Sequence, residues 1–357
     1  MITVKSAEDS SKKATIKVLV QNDGKNYVNV NSATRSLYTQ YVVSAHPSTI
    51  IQGFDISKNY IFTVQNLYST STDMNTNSLF INKHPRPGVS GSDSNMSLYG
   101  FGHGTNIAFE WANSKYNDTS DAYMWLAGGH YTWNNDNSKF SFDVTRDGAF
   151  PTRLAYHGNS TYTSNSVSFD TRSSVSRNDI KLYNGKNYST TALSSKYYNI
   201  YKFYKTRSNE QVAIDTTNNL FIIRVTGSSG QIFSIYKLTD IKNSSVDYID
   251  GNIPKLATFT IPKTPLDFQG FDIAGDYVYV YYGESNRNGT QNSQGYVAMY
   301  DFLGNEKFNK KVYSTSTSIF EEPEGIKVYK ESGKYVAYLG SSLVSGSQKY
   351  VKICTFK

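Results

Sequence analysis

A single cysteine, Cys354, stands among 357 residues, so the chain can form no intrachain disulfide and no cysteine-built zinc site. Its fold must be held by packing and hydrogen bonds. Prolines number only 8, and no Pro-rich linker divides the sequence, which points to one body rather than beads on a string. No run approaches the roughly 18 apolar residues of a membrane helix, and amphipathic helical stretches are nearly absent. The start, Met1 to Lys13, is polar, unlike a charged leader followed by an apolar core. Either the protein is cytosolic or an export signal has been removed. The five histidines, His46, His84, His103, His130 and His157, show no H-E-x-x-H or comparable spacing, so no metal site is expected. No cofactor is expected either: Gly100-Phe101-Gly102-His103-Gly104 precedes a strand rather than a helix, so it is no phosphate loop. A G-x-S-x-G nucleophile elbow is also missing.

What the chain has in quantity is aromatic. Phe, Trp and Tyr make up 15% of it, with 30 Tyr and 19 Phe, while charged residues reach only 18%. Surface polarity must then come from Ser, Thr and Asn, the profile of a Tyr-studded β protein outside the cell, and we expect a secreted bacterial protein. The net charge of +7 favours an anionic partner such as a wall polymer or an acidic glycan. Nucleic acid is not the expected partner, because neither a basic helix nor a base-stacking motif is evident.

The organising feature is a repeat. Gln52-Gly53-Phe54-Asp55-Ile56 returns as Gln269-Gly270-Phe271-Asp272-Ile273, and eight residues after each Gln a strand-like run begins, at Tyr60 and Tyr277. Weaker copies open at Glu324 (Glu324-Gly325-Ile326-Lys327-Val328), at His103 (His103-Gly104-Thr105-Asn106-Ile107) and at Gln211. The openings at 52, 103, 211, 269 and 324 are spaced by 51, 108, 58 and 55 residues. A unit of roughly 50 residues beginning with a β-hairpin is the signature of a propeller blade. We therefore expect an all-β, single-domain β-propeller of five blades, or of six if the doubled gap hides a copy. Residues 40–357 form the propeller, with an insertion around 144–199, and residues 1–39 supply a closing strand.

The innermost strand of every blade lines the axis, which would bring Gln52, His103, Gln211, Gln269 and Glu324 into a channel ring as candidate ligand contacts. Such groups can equally close the channel by bonding each other and trapped water. Asp55 and Asp272, at one repeat position, are expected to make the same structural hydrogen bond in two blades. Paired with Glu324 they are also the only carboxylates that suggest a glycan hydrolase. No catalytic role is assigned, since repeat equivalence works against the unequal pKa values an acid and a base need. Trp111 and Trp125 lie within strand patterns and read as core. Trp133, with Tyr131 and His130, is the candidate for stacking on a sugar. Arg146, Arg153, Arg172, Arg177 and Lys181 are candidate polyanion contacts, which would bind more weakly at high salt.

Gly102-His103-Gly104-Thr105, Phe150-Pro151 with Arg153-Leu154, Gln269-Gly270-Phe271-Asp272 and Glu322-Pro323-Glu324-Gly325, in that order, resemble the helveticin J family of class III bacteriocins. More distantly, the chain resembles the propeller of phage receptor-binding proteins that adhere to teichoic acid. The resemblance implies five blades, secretion and attachment to Gram-positive cell surfaces through teichoic acid. It also implies bactericidal action or association with the surface-layer lattice, or else a phage-type adhesin.

Overall fold

The computed structural model describes residues 2–5, 13–16, 27–28, 35–42, 49–67, 78–99, 104–110, 122–128, 131–134, 139–142, 150–156, 166–169, 180–183, 188–192, 198–201, 203, 210–246, 249–286 and 291–356. Five four-stranded antiparallel sheets form a five-bladed propeller. From the axis outward, blade one runs Ile51–Ile56, Tyr60–Leu67, Ser78–Pro85 and Ser94–Tyr99. Blade two runs Ala108–Glu110, Tyr123–Gly128, Phe150–Ala155 and Tyr198–Ile200. Blade three runs Gln211–Asp215, Leu220–Thr226, Gln231–Lys237 and Ala257–Ile261, with one short helix, Leu238–Lys242, after its third strand. Blade four runs Asp267–Ala274, Tyr277–Glu284, Gln294–Asp301 and Glu306–Ser314.

Blade five takes three strands from the end of the chain, Phe320–Glu331, Lys334–Ser345 and Gln348–Phe356, and its outermost strand, Arg35–Val42, from near the start. The two pair antiparallel from Phe356↔Arg35 to Tyr350↔Val42. A closing strand of this kind removes the seam that a blade built only from the last repeat would leave. Within blade two, a hairpin of Tyr131–Asn134 and Lys139–Phe142 follows the second strand, and a separate sheet of Ser166–Phe169, Ile180–Tyr183 and Tyr188–Ala192 precedes the fourth.

Local chemistry explains the hairpins. In blade five Ser332 and Gly333, both at positive φ, make the two-residue turn between the paired residues Glu331 and Lys334. In blade three Asp215 accepts the backbone N–H of Asn218 at 3.0 Å, which nucleates the turn before Leu220. Between blades the faces are filled by aromatic and branched residues. Phe271, Ile273, Val278 and Val280 of blade four meet Ala213, Ile222, Phe233 and Ile235 of blade three. On its other face blade four sets Tyr279 and Tyr281 against Ile326, Ala337 and Leu339 of blade five, and Val28 joins that cluster, its N–H donating to the Tyr279 hydroxyl at 3.3 Å. Each such fully buried side chain is worth about 1.5–3 kcal/mol, so adhesion between blades carries the fold that no disulfide staples.

Candidate functional site

Three of the polar-Gly openings, at Gln52, Gln269 and Glu324, fall at β-bulges. Pairing shifts between Ile51 and Gly53, between Phe268 and Gly270, and between Pro323 and Ile326, so each opening bends the first strand of its blade where it reaches the axis. The chains come close there: a Cβ on Gly270, whose φ is +151°, would lie 3.0 Å from the Cα of Gly325. Asn106, 3% exposed and at φ 65°, fills the remaining space. Its Oδ1 accepts the N–H of Phe271 at 2.9 Å, and its Nδ2 donates to the carbonyl of Val212 at 2.8 Å. One amide thus ties blades two, three and four together at the axis.

Beside this closure a cavity of about 360 Å³ opens where the first strands run into their hairpins. Every blade contributes to it from its first strand, and at one equivalent position the five contribute Asp55, Ala108, Ile214, Asp272 and Lys327. The walls come from Asp215 to Asn218 in the blade-three turn and from Tyr329, Lys330 and Tyr335 in blade five. The carboxylates are braced identically. Asp55 Oδ2 accepts the N–H of Phe109 in blade two, and Asp272 Oδ2 accepts the N–H of Val328 in blade five, both at 2.7 Å. Asp55 Oδ1 also takes the N–H of Ile56 and the hydroxyl of Tyr329. The pair therefore makes the shared structural bond that one repeat position leads one to expect. By the same criterion Ala108, which precedes Phe109, is the blade-two equivalent of Asp55, so the superposition opening at His103 slips by two residues.

Lys327 occupies in blade five the place that Asp55 and Asp272 hold in theirs. It is 2% exposed, and its Nζ lies 3.7 Å from Asp272 Oδ1, an ion pair without a hydrogen bond. Among the described residues that ammonium has no hydrogen-bond partner. Burial pushes the Asp55 carboxyl up to about 6 and the Asp272 carboxyl to about 7, with the Lys327 charge opposing both shifts and, for Asp272, the Asp55 charge adding to it. Two carboxylates and one ammonium out of water are costly, and the protons on the two carboxyls are shared properties of the pair.

That coupling has a sign. In the unfolded chain these carboxyls titrate near 3.9, so folding raises both, and the stability they contribute is full below about pH 4 and lost as pH rises through 6 to 7. His84, lowered by burial, works in the opposite direction below its ordinary 6.5, so the pair is isolated by difference. We expect urea denaturation to show wild type losing more stability between pH 5 and pH 8 than an Asp55→Asn/Asp272→Asn variant, which keeps the acceptors of both inter-blade bonds. A wild type whose pH slope matches that of the variant would remove the carboxyls from the account.

The other sequence candidates are dispersed. Gln52 and Glu324 are buried and Gln269 is half-buried at the bulged openings, Gln211 is buried at the start of a regular strand, and none of the four is among the residues lining the cavity. Gln211 Oε1 accepts from Arg224 at 3.2 Å, within its own blade. His103, His130, Trp111, Arg146, Arg172 and Arg177 lie outside the described residues, as do the side chains of Tyr131, Trp133 and Lys181 on their strands. Trp125 is fully buried. Arg153 is turned inward: its guanidinium bonds Glu110 at 2.8 and 3.2 Å and sits 3.3 Å over the ring of Tyr123.

No protein-family model matches the sequence, nor does any curated protein. Among solved structures the chain is similar to the tail fiber of Staphylococcus aureus phage P68, at a TM-score of 0.57 and 18% identity over 92% of this chain. It spans about half of that fiber, 54% of its length. The WD40 domain of Toxoplasma gondii coronin also aligns, over 91% of this chain and 88% of its own at 9% identity. Its TM-score of 0.29 is too low for the likeness to bear on fold or function.

Proposed function

We propose that the chain is a secreted, non-enzymatic receptor-binding propeller that attaches to anionic glycopolymers, teichoic acid above all, on Gram-positive cell walls. The observation that carries the reading is the cavity to which all five blades contribute, with an ionic floor and walls of hydroxyl, amide and tyrosine side chains. Sites of this size and mix, concave and with a few converging polar groups, suit one or two sugar units. The net charge of +7 would draw a polyanion to the surface, and the likeness to a phage tail fiber is compatible with adhesion. Bracing of Asp55 and Asp272 by the backbone of the next blade supports binding over catalysis, because both carboxylates already hold the structure together. Surface-layer association and bacteriocin action, implied by the helveticin J resemblance, would use the same attachment.

Purified protein incubated with Gram-positive walls, before and after chemical removal of teichoic acid, at low and high salt, tests this. Binding that disappears with the polymer and weakens with salt, without soluble fragments, is expected. Fragment release that persists in high salt would make the chain a hydrolase instead.

A further inference from the structure

Among the described residues that line the cavity, Lys327 is the one buried group whose hydrogen-bonding capacity is left over. An ammonium carries three donors, and among the described residues none of them is used, although 98% of the residue is removed from solvent. Buried donors are rarely left idle, and Lys327 is one of the residues that line the cavity. What it would hold is decided by its neighbours. Asp272 Oδ1 lies 3.7 Å away, and Asp55 is close enough for its charge to be felt by both. A phosphate or carboxylate pushed to this floor would meet two carboxyl groups with only one cation between them. A neutral hydroxyl meets no such conflict: its oxygen accepts from the ammonium while its hydrogen is donated to Asp272.

Resting on the reading of the cavity as a glycopolymer site, we propose that its floor takes the neutral sugar of that polymer. A hydroxyl of the sugar is gripped between Lys327 Nζ and Asp272 Oδ1, and the anionic linkage stays outside, near Lys330. Lys330 lines the cavity yet is exposed, which suits a group that meets charge in water. Tyr335 offers a partly buried ring in the wall, and Thr217 an exposed hydroxyl. Recognition is thus divided by depth, with sugar identity read below and charge above.

The test is ligand-observed NMR and calorimetry with a panel of free neutral hexoses and N-acetylhexosamines, glycerol phosphate and inorganic phosphate, run beside the wall-binding assay. Wild type is expected to bind at least one neutral sugar and neither phosphate at the same site. Lys327→Met should weaken that binding tenfold or more. Thr217→Trp, at an exposed position of the turn, should block it by filling the mouth. Lys330→Ala should lower wall binding by a larger factor than it lowers free-sugar binding. Phosphate that binds and is lost in Lys327→Met would overturn the proposal, as would wall binding by wild type that neither Lys327→Met nor Thr217→Trp alters. Absence of wall binding by wild type would instead overturn the glycopolymer reading, and a sugar still bound through Lys327 would leave the floor assignment standing.

Discussion

Replacing Glu110 by alanine is expected to cost about 3–5 kcal/mol, a large part of the roughly 5–15 kcal/mol that holds a domain folded. Glu110 is 5% exposed and binds three partners from two blades. Its Oε2 accepts the indole N–H of Trp125 and Nε of Arg153, both at 2.8 Å, and its Oε1 accepts from Lys242 at the end of the blade-three helix. Truncation leaves an arginine without its counter-charge and a buried indole N–H without an acceptor. Glu110→Gln, which keeps one acceptor oxygen, should recover part of the loss. Burial alone would raise the Glu110 carboxyl, but Arg153 and Lys242 outweigh it and hold it below the usual carboxylate range. Its contribution is therefore present above about pH 4.3 and fades as pH falls through the depressed value, the reverse of Asp55 and Asp272 and in a lower window. Equilibrium urea unfolding gives the number, and a loss below 1 kcal/mol for the alanine variant would mean that the three partners re-pair elsewhere.

Removing residues 1–42 is expected to abolish folding to a monomer. Gln348–Phe356 would become a bare edge strand, open to pairing with other chains. Glu321, 1% exposed, would lose Arg35, one of the two cations that flank it, and keep only Lys352 at 2.9 Å. Val28 would leave the core between blades four and five. Size-exclusion chromatography should show aggregate, and a peptide of residues 27–42 added during refolding should restore monomer. A truncated chain that elutes as a monomer and melts within a few degrees of the full one would show that three strands suffice for blade five.

The architecture was legible because its punctuation repeats. Gln52-Gly53, Gln269-Gly270 and Glu324-Gly325 mark the bulges that turn each first strand toward the axis, and the turn clusters after them set hairpin register. Blade two misleads for a physical reason. The left-handed position near the axis is held there by Asn106, which tolerates positive φ, so a pattern that looks for glycine settles on Gly104, two residues early. Lys327 was visible as a basic residue in the slot of two aspartates, yet its importance is a matter of proximity across the axis, 55 and 272 residues from its partners in sequence. That Lys242 reaches Glu110 across 132 residues has no local signal at all. Arg153, counted among surface charges from sequence, is claimed by that same carboxylate.

The pairing of Phe356 with Arg35 sets the first residue of the outermost strand of blade five beside the last residue of its neighbour, so these two strand ends meet at one point. A pull that separates the two ends would open this ladder rung by rung from that point, each pair bearing the load alone, and the blade would part at low force. A pull on a ligand in the cavity, with both ends held side by side on a common support, does not act along that zipper. A propeller mounted in this way would be weak as a link in a chain and strong as a hook.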